Sequence, residues 1–295
     1  MLKRIGLFVL MNIAIVAMLG IVLNVVSALT GLDFGQMVGS DLDITALFVF
    51  SLIVGFSGSV ISLLMSKSTA IRSMGVQLID TDRPSSGLEA WLVDVVRRQA
   101  EISNISMPEV GIYDGDPNAF ATGANKNKAL VAVSTGLLRL MNKEEVEAVI
   151  AHEMTHVTNG DMVTMTLLQG VINTFVVFFS RIIGWVIDRN ILRNEDDRPG
   201  AGYYMTTVVL DLALGFLASI VAAAFSRTRE YRADAGSKKI MGSAEPMIRA
   251  LQRLGSMQPA ELPASMKGFG VSGGIGSLLA SHPSIEDRIA ALRQE

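Results

Sequence analysis

The sequence contains no cysteine and only three histidines. Without cysteine the chain can hold no disulfide framework, no iron–sulfur cluster, no thiol nucleophile and no cysteine-ligated zinc. Charged residues are scarce too, at 18%, whereas about 25% is usual in soluble proteins. The net charge of −3 includes no basic excess, which argues against a nucleic-acid partner. Apolar side chains are abundant, at 50%, and predict that part of the chain lies in a lipid bilayer.

Two long uncharged stretches predict a hairpin of transmembrane helices near the start of the chain. Residues 5–29 and 44–65 contain no charged side chain, and each exceeds the roughly 20 residues that a membrane-crossing helix needs. The segment between them carries aspartates but no lysine or arginine, whereas Lys67 and Arg72 follow the second stretch. Because basic residues are retained on the cytoplasmic side, both ends of this hairpin, and both chain termini, are expected in the cytoplasm.

A second hydrophobic hairpin is predicted later in the chain. Residues 162–180 are uncharged, and residues 205–225 contain a single charge, Asp211. Their modest length leaves two alternatives open, a pair of buried core helices or a hairpin that only dips into the membrane. We predict four spans in all, and therefore a mainly α-helical membrane protein with a cytoplasmic α+β domain.

The second hairpin divides the cytoplasmic domain in sequence. The expected parts are a transmembrane hairpin (1–65), a first cytoplasmic part (66–161), the second hairpin (162–225) and a second cytoplasmic part (226–295). Residues 257–276 are rich in glycine, proline and serine, which predicts a mobile loop.

Local patterns place the main elements of the cytoplasmic part. Amphipathic spacing predicts a helix over residues 86–101, and short apolar runs predict strands at 108–114, 118–123 and 129–134. Another helix should begin after Asn142, with Glu145 completing a capping box, and should end at Gly160.

The sequence HEMTH, at residues 152–156, lies on that last helix. Residues four apart share a helix face, so His152 and His156 can reach one metal ion. Glu153 projects to one side of that face, as in zinc peptidases, where this glutamate takes a proton from the attacking water. The alternative, two surface histidines on a charged helix, does not account for the capped-helix context.

A catalytic zinc needs a third protein ligand and one open position. A third histidine six residues after the second is missing, since none follows His156 until His282. Glu230, in the predicted helix 226–234, is the better candidate, although by itself it could be one carboxylate of a solvated Arg/Glu helix. Asp211, as an ionisable residue within a span, is the alternative ligand.

The ordered set of motifs resembles the HtpX family of bacterial inner-membrane zinc metalloproteases, which are related to the CAAX prenyl endopeptidases. The resemblance covers nearly the whole chain, through the two N-terminal spans, the second hairpin and the motifs NAFATG (118–123), HEMTH (152–156), NGD (159–161), REYRAD (229–234) and SHPSIEDR (281–288).

This resemblance implies one Zn²⁺ per chain, with His152, His156 and Glu230 as ligands and Glu153 as general base. It also implies that His282 faces the catalytic centre, where it would stabilise the oxyanion.

Arg288 is expected to pair with Asp234 and so to hold the helix of Glu230 in place. An ordinary capping-region histidine at 282 and a surface arginine at 288 are the plain alternatives.

The resemblance further implies an edge strand beside the cleft that pairs with an extended substrate backbone. An ordinary strand and turn explains the same residues equally well on sequence alone. The expected strand residues are Asn118, Ala119, Phe120, Ala121, Thr122 and Gly123.

The expected activity is hydrolysis of peptide bonds in damaged or misfolded membrane proteins at the cytoplasmic face, a quality-control and stress-response role. His156 and Glu230 each lie a few residues from a predicted span, so the zinc should lie within roughly 10 Å of the membrane surface. Two alternatives remain, an intramembrane site-2-type protease with Asp211 as ligand, and a transporter or scaffold with a zinc site.

Overall fold

The computed structural model describes most of the chain from residue 41 onward. The predicted first span (5–29) lies for the most part outside the described residues, and the predicted loop 257–276 lies wholly outside them. The described residues are 20, 21, 23–31, 33, 34, 37, 38, 41–256 and 280–294.

From Ile44 onward the described helices and strands are as follows. The helices are α1 (Ile44–Met74), α2 (Gly87–Ile102), α3 (Thr135–Leu140), α4 (Lys143–Asn159), α5 (Asp161–Val186), α6 (Ala201–Met241), α7 (Glu245–Ser256) and α8 (Ile285–Gln294). The strands are β1 (Gln77–Leu78), β2 (Glu109–Tyr113), β3 (Ala119–Thr122) and β4 (Leu130–Ser134). The predicted helix at 86–101 and the three predicted strands are therefore confirmed.

The chain folds into two compact units. One contains Met1–Ser62 and Met165–Ala222, and the other contains Leu63–Thr164 and Ala223–Glu295. The first unit draws on both apolar regions of the sequence, and the second unit on both polar regions.

Three helices among the described residues are long and apolar enough to cross a membrane. They are α1, α5 together with the π-helical turn that extends it to Ile191, and α6. Mean hydropathy reaches 2.3, 1.8 and 2.3 in their most apolar windows, and 6–33% of each window is buried. The total of four spans stays a prediction.

Asp211 is engaged by neighbours in the first unit. Its Oδ1 lies 2.6 Å from Arg181 Nη1 and accepts a 2.6 Å hydrogen bond from the Ser180 hydroxyl. The charge of Asp211, which the sequence left available for a metal, is thus compensated by a cation.

A four-stranded mixed sheet organises the second unit. The strand order is β1-β2-β4-β3, with β2 and β4 parallel and the two outer pairings antiparallel. All five residues of β4 are buried, whereas β3 forms an edge. Apolar faces of α2 and α4 complete the core, with Leu92, Val96 and Ile150 fully buried. The sheet therefore brings its edge strand next to α4.

Both predicted ends of α4 are confirmed. The Asn142 side chain accepts from the Glu145 backbone, and the Glu145 carboxylate accepts from the Asn142 backbone, which completes the capping box. At the other end Gly160 adopts the left-handed conformation, with φ +67°, that favours glycine. These caps set the register of the helix that carries the HEMTH sequence.

Close packing joins α4 to the last part of α6. A Cβ atom on Gly236 would overlap the Thr155 side chain, so only glycine fits here without displacement. Next to it, the buried Ser237 hydroxyl donates a 2.7 Å hydrogen bond to the carbonyl of Ala148. This contact fixes the face of α6 that carries Glu230 against the face of α4 that carries the histidines.

Candidate metal centre

Three buried side chains converge between α4 and α6. Ligand-type atoms of His152, His156 and Glu230 all lie within 4.8 Å of one another. The two Nε2 atoms are 3.2 Å apart, and the Glu230 oxygens lie 3.4 and 3.3 Å from them. Tetrahedral zinc with bonds of roughly 2.0–2.1 Å separates its ligands by roughly 3.3–3.4 Å. The two imidazoles and the carboxylate therefore fit one such ion.

A carboxylate contacts the Nδ1 atom of each of these two histidines. Asp234 Oδ1 lies 2.9 Å from His152 Nδ1, and Asp161 Oδ2 lies 2.6 Å from His156 Nδ1. Such partners hold the proton on Nδ1, which leaves Nε2 free to bind a metal. Both carboxylates are buried.

Sequence reasoning missed the role of Asp161. In the sequence this residue is only the last member of the NGD motif, and its partner is not evident. The left-handed turn at Gly160 ends α4 and starts α5 at Asp161, which turns this carboxylate back toward His156. An acidic residue directly after a helix-ending glycine was the available signal.

The predicted pair of Asp234 and Arg288 is present and bidentate. Arg288 Nε donates to Asp234 Oδ2 at 2.8 Å, and Nη2 donates to Oδ1 at 2.6 Å. The same guanidinium lies 3.4 Å from His152 Nδ1. Asp234 thus links Arg288 of α8 directly to His152. Arg288 is therefore connected more closely to the three candidate ligands, called the metal group below, than the sequence predicts.

Glu153 is half-buried beside these three side chains, and its carboxylate points toward β3. Its Oε2 accepts a 2.9 Å hydrogen bond from the backbone N–H of Ala121. Burial raises the pKa of Glu153, and the nearby histidines offset this only in part. A carboxylate with a raised pKa accepts a proton more readily, which suits a general base.

His282 lies at the open side of the group. Its Nδ1 is 2.8 Å from Glu230 Oε2, and its side chain is 65% exposed. Together with Glu153, Arg288 and Phe120 it lines a cavity of about 920 Å³. The structure therefore brings His282 to the group, and its function there stays a prediction.

The predicted substrate strand borders the same cavity. Ala121 directs its N–H outward to Glu153, and alternate residues of an antiparallel strand present their polar groups to the same side. Ala119 therefore also presents its N–H and C=O to the open edge. Asn118 and Gly123 lie outside β3, and Asn118 is held by the Ser134 hydroxyl at 2.9 Å.

Metal affinity should decrease as the pH falls. Burial alone would lower the pKa of His156, but the Asp161 and Glu230 carboxylates outweigh it and raise the pKa to about 9. Carboxylates likewise raise the pKa of His152 above its usual value. Below pH 9 a metal must displace the His156 proton, so the affinity should fall by up to about tenfold per pH unit from this histidine alone.

Zinc competition with a chelator at pH 6, 7 and 8 measures this dependence. Asp161→Asn removes the carboxylate that contacts His156, and it should make the zinc affinity less dependent on pH. An affinity that stays constant over this range would contradict the assignment of these histidines.

Comparison with known proteins agrees with this geometry. Residues 86–295 match the model of peptidase family M48. A protease HtpX homolog of Paracidovorax citrulli is 57% identical over 293 residues, covering 99% of this chain and 98% of that protein. The corresponding homolog of Albidiferax ferrireducens is 58% identical over 294 residues, with the same coverage.

A solved structure shares the fold. The crystal structure of S. mikatae Ste24p superposes with a TM-score of 0.60 at 19% identity. The match covers 92% of this chain and 64% of the Ste24p chain.

Proposed function

The chain belongs to peptidase family M48 and is a membrane-bound metalloprotease, and we propose that its metal is Zn²⁺ held by His152, His156 and Glu230. The observation that carries this proposal is the convergence of three buried candidate ligands with a second acidic side chain, Glu153, beside them. Two histidines and one carboxylate leave a coordination position open, as catalytic zinc sites require.

Glu153 is the general base in this proposal. The bound ion would polarise the scissile carbonyl and acidify the attacking water. Glu153 takes the proton from that water, since its pKa is raised and its carboxylate borders the cavity. The hydrogen bond from Ala121 keeps one carboxylate oxygen fixed and leaves the other to accept the proton.

His282 and β3 position the substrate in this proposal. An extended peptide pairs with the open polar groups of Ala119 at the strand edge, which gives affinity without strong side-chain choice. The exposed imidazole of His282 then donates to the oxyanion as the carbonyl is attacked.

The proposed location is the cytoplasmic face of the bacterial inner membrane. Lys67 and Arg72 follow the apolar part of α1, which favours a cytoplasmic position for the adjoining chain. The single helix α6 contains both an apolar segment and Glu230, five residues beyond Phe225. The proposed substrates are damaged membrane proteins. Because Glu230 follows an apolar segment by only a few residues, their cytoplasmic segments should come within reach of the site.

Zinc-dependent proteolysis tests this function. The full-length protein in lipid vesicles should cleave a membrane protein that carries an unfolded cytoplasmic segment, and should cleave the same segment more slowly in free solution. A chelator should abolish cleavage, and added zinc should restore it. Cleavage that persists undiminished in the chelator would refute the metal assignment.

Asp211 does not support the intramembrane alternative. The described residues that can hold a metal together are His152, His156 and Glu230, and Asp211 is instead paired with Arg181. The chain belongs to a family of peptidases, and this membership favours an enzyme over a transporter or a scaffold protein.

Substitutions of His282 and Arg288 should have different consequences. His282→Ala should lower kcat by about 10²- to 10³-fold with zinc retained, as expected for the loss of an oxyanion donor. Arg288→Ala frees Asp234 and should lower metal affinity or activity by about 10- to 100-fold. Excess zinc should restore part of the activity of the Arg288 variant and none of the activity of the His282 variant.

Zinc content and kcat, measured on the same preparations, separate these two effects. Ser281→Ala, at the exposed neighbouring position, is the control. Equal zinc loss in the His282 and Arg288 variants would mean that His282 is a ligand.

A further inference from the structure

The cavity beside the metal group has one wall without charge. His152, Glu153 and Arg288 form part of its polar side. The uncharged wall comprises Leu137, Val149, Met247, Leu251, Leu254 and Ile285.

This apolar wall lies close to Glu153. Val149 precedes His152 by three residues and Glu153 by four in α4, so these side chains are neighbours on the helix surface. One helical turn is about 5.4 Å, whereas one residue of an extended peptide spans about 3.3 Å. A substrate residue at or next to the scissile bond therefore reaches this wall with its side chain.

The wall has a buried part, formed by Val149, Met247 and Leu251, and a more exposed rim, formed by Leu254 and Ile285. Val149, Met247 and Leu251 are 7%, 3% and 1% exposed, because they are packed into the protein core. Leu254 and Ile285 are only partly buried and offer apolar surface to the cavity. A side chain that enters here loses water on contact with both layers.

The two arginines of α7 form ion pairs away from the cavity. Arg249 pairs with Glu144 at 2.6 Å, and Arg253 pairs with the buried Glu145 at 2.6 Å. Both partners lie in the first turn of α4, so the face of α7 that carries Leu251 and Leu254 is left without charge toward the cavity.

We infer that this wall is a specificity pocket that selects a bulky apolar side chain next to the scissile bond. The inference rests on the proposed function, because it takes the metal group as the site of cleavage. It narrows the substrate class to segments rich in residues such as leucine and phenylalanine, which membrane proteins supply in abundance.

A peptide series tests the preference on the full-length, zinc-loaded enzyme. The peptides differ only at the residues on either side of the cleaved bond, which carry leucine, phenylalanine, glycine or lysine, and mass spectrometry locates the cut. Leucine or phenylalanine at one of the two positions should raise kcat/KM by about 10- to 100-fold over glycine or lysine.

Substitution of Leu254 should change the preference. Leu254→Asp places a carboxylate on the rim and should reverse the ratio in favour of lysine. Leu254→Ala, a milder change that keeps the fold if the first variant is unstable, should lower the leucine-to-glycine ratio several-fold. Leu88→Asp, at an exposed position of α2, is the matched control and should leave the ratio unchanged.

The outcomes separate this inference from the proposed function. Zinc-dependent cleavage with equal rates for leucine, glycine and lysine would overturn the pocket and leave the function intact. A preference that survives both Leu254 variants would also overturn it. Failure to cleave any peptide or membrane-protein substrate in the presence of zinc would refute the proposed function and the pocket with it.

Discussion

Glu153→Gln is expected to reduce proteolysis to background while zinc stays bound. The amide cannot accept a proton from the attacking water, so kcat should fall by about 10²- to 10⁴-fold, the usual contribution of a general base. Its carbonyl oxygen can still accept the hydrogen bond from Ala121, so β3 should keep its position. Zinc content is expected to be unchanged, because none of the three proposed ligands is altered.

The matched control for this variant is Glu147→Gln. Glu147 lies in the same helix, where it faces Arg98 at 3.6 Å, and the cavity lining does not include it. Steady-state kinetics and metal analysis on the same preparations compare the two variants. Wild-type turnover by Glu153→Gln would show that another group accepts the proton.

Glu230→Ala is expected to remove most of the bound zinc and with it the activity. Glu230 is the carboxylate within 3.4 Å of both Nε2 atoms, and it is 3% exposed, so its loss leaves two histidines and a buried gap. A zinc site that keeps only two protein ligands does not hold the ion against a chelator. Metal content measured after mild chelation should therefore fall far below one ion per chain.

Asp211→Asn distinguishes this expectation from the intramembrane alternative. Asp211 neutralises Arg181, so its substitution should affect the stability of the membrane-embedded unit and leave zinc near one ion per chain. Zinc loss in Asp211→Asn together with zinc retention in Glu230→Ala would reverse the assignment.

Features that depend on neighbouring residues were predictable from the sequence. The limits of α4 follow from a capping box at Asn142 and a left-handed glycine at Gly160, and both interactions lie within one helical turn. The pairing of His152 with His156 follows from the helical repeat. Short-range physics was therefore sufficient to place the two histidines on one face.

Contacts between distant parts of the chain were not predictable in the same way. The hydrogen bond from Ala121 to Glu153 depends on how the sheet edge packs against α4, and nothing in the local pattern specifies that distance. The contact of Asp234 with His152 depends on the close approach of α6 that Gly236 permits. These contacts join residues that are far apart in the sequence. No helix or strand repeat relates such residues, so only the tertiary structure shows that they meet.

The metal group also sets the moment at which the protease can become active during its own synthesis. His152 and His156 emerge from the ribosome before the apolar segments of α5 and α6, and Glu230 emerges after them. A nascent chain that has not yet produced its last membrane segment therefore lacks one of the three side chains and cannot assemble the centre. Premature termination between α5 and the end of the apolar part of α6 therefore yields a fragment that contains both histidines but not Glu230, and that fragment is expected to be inactive.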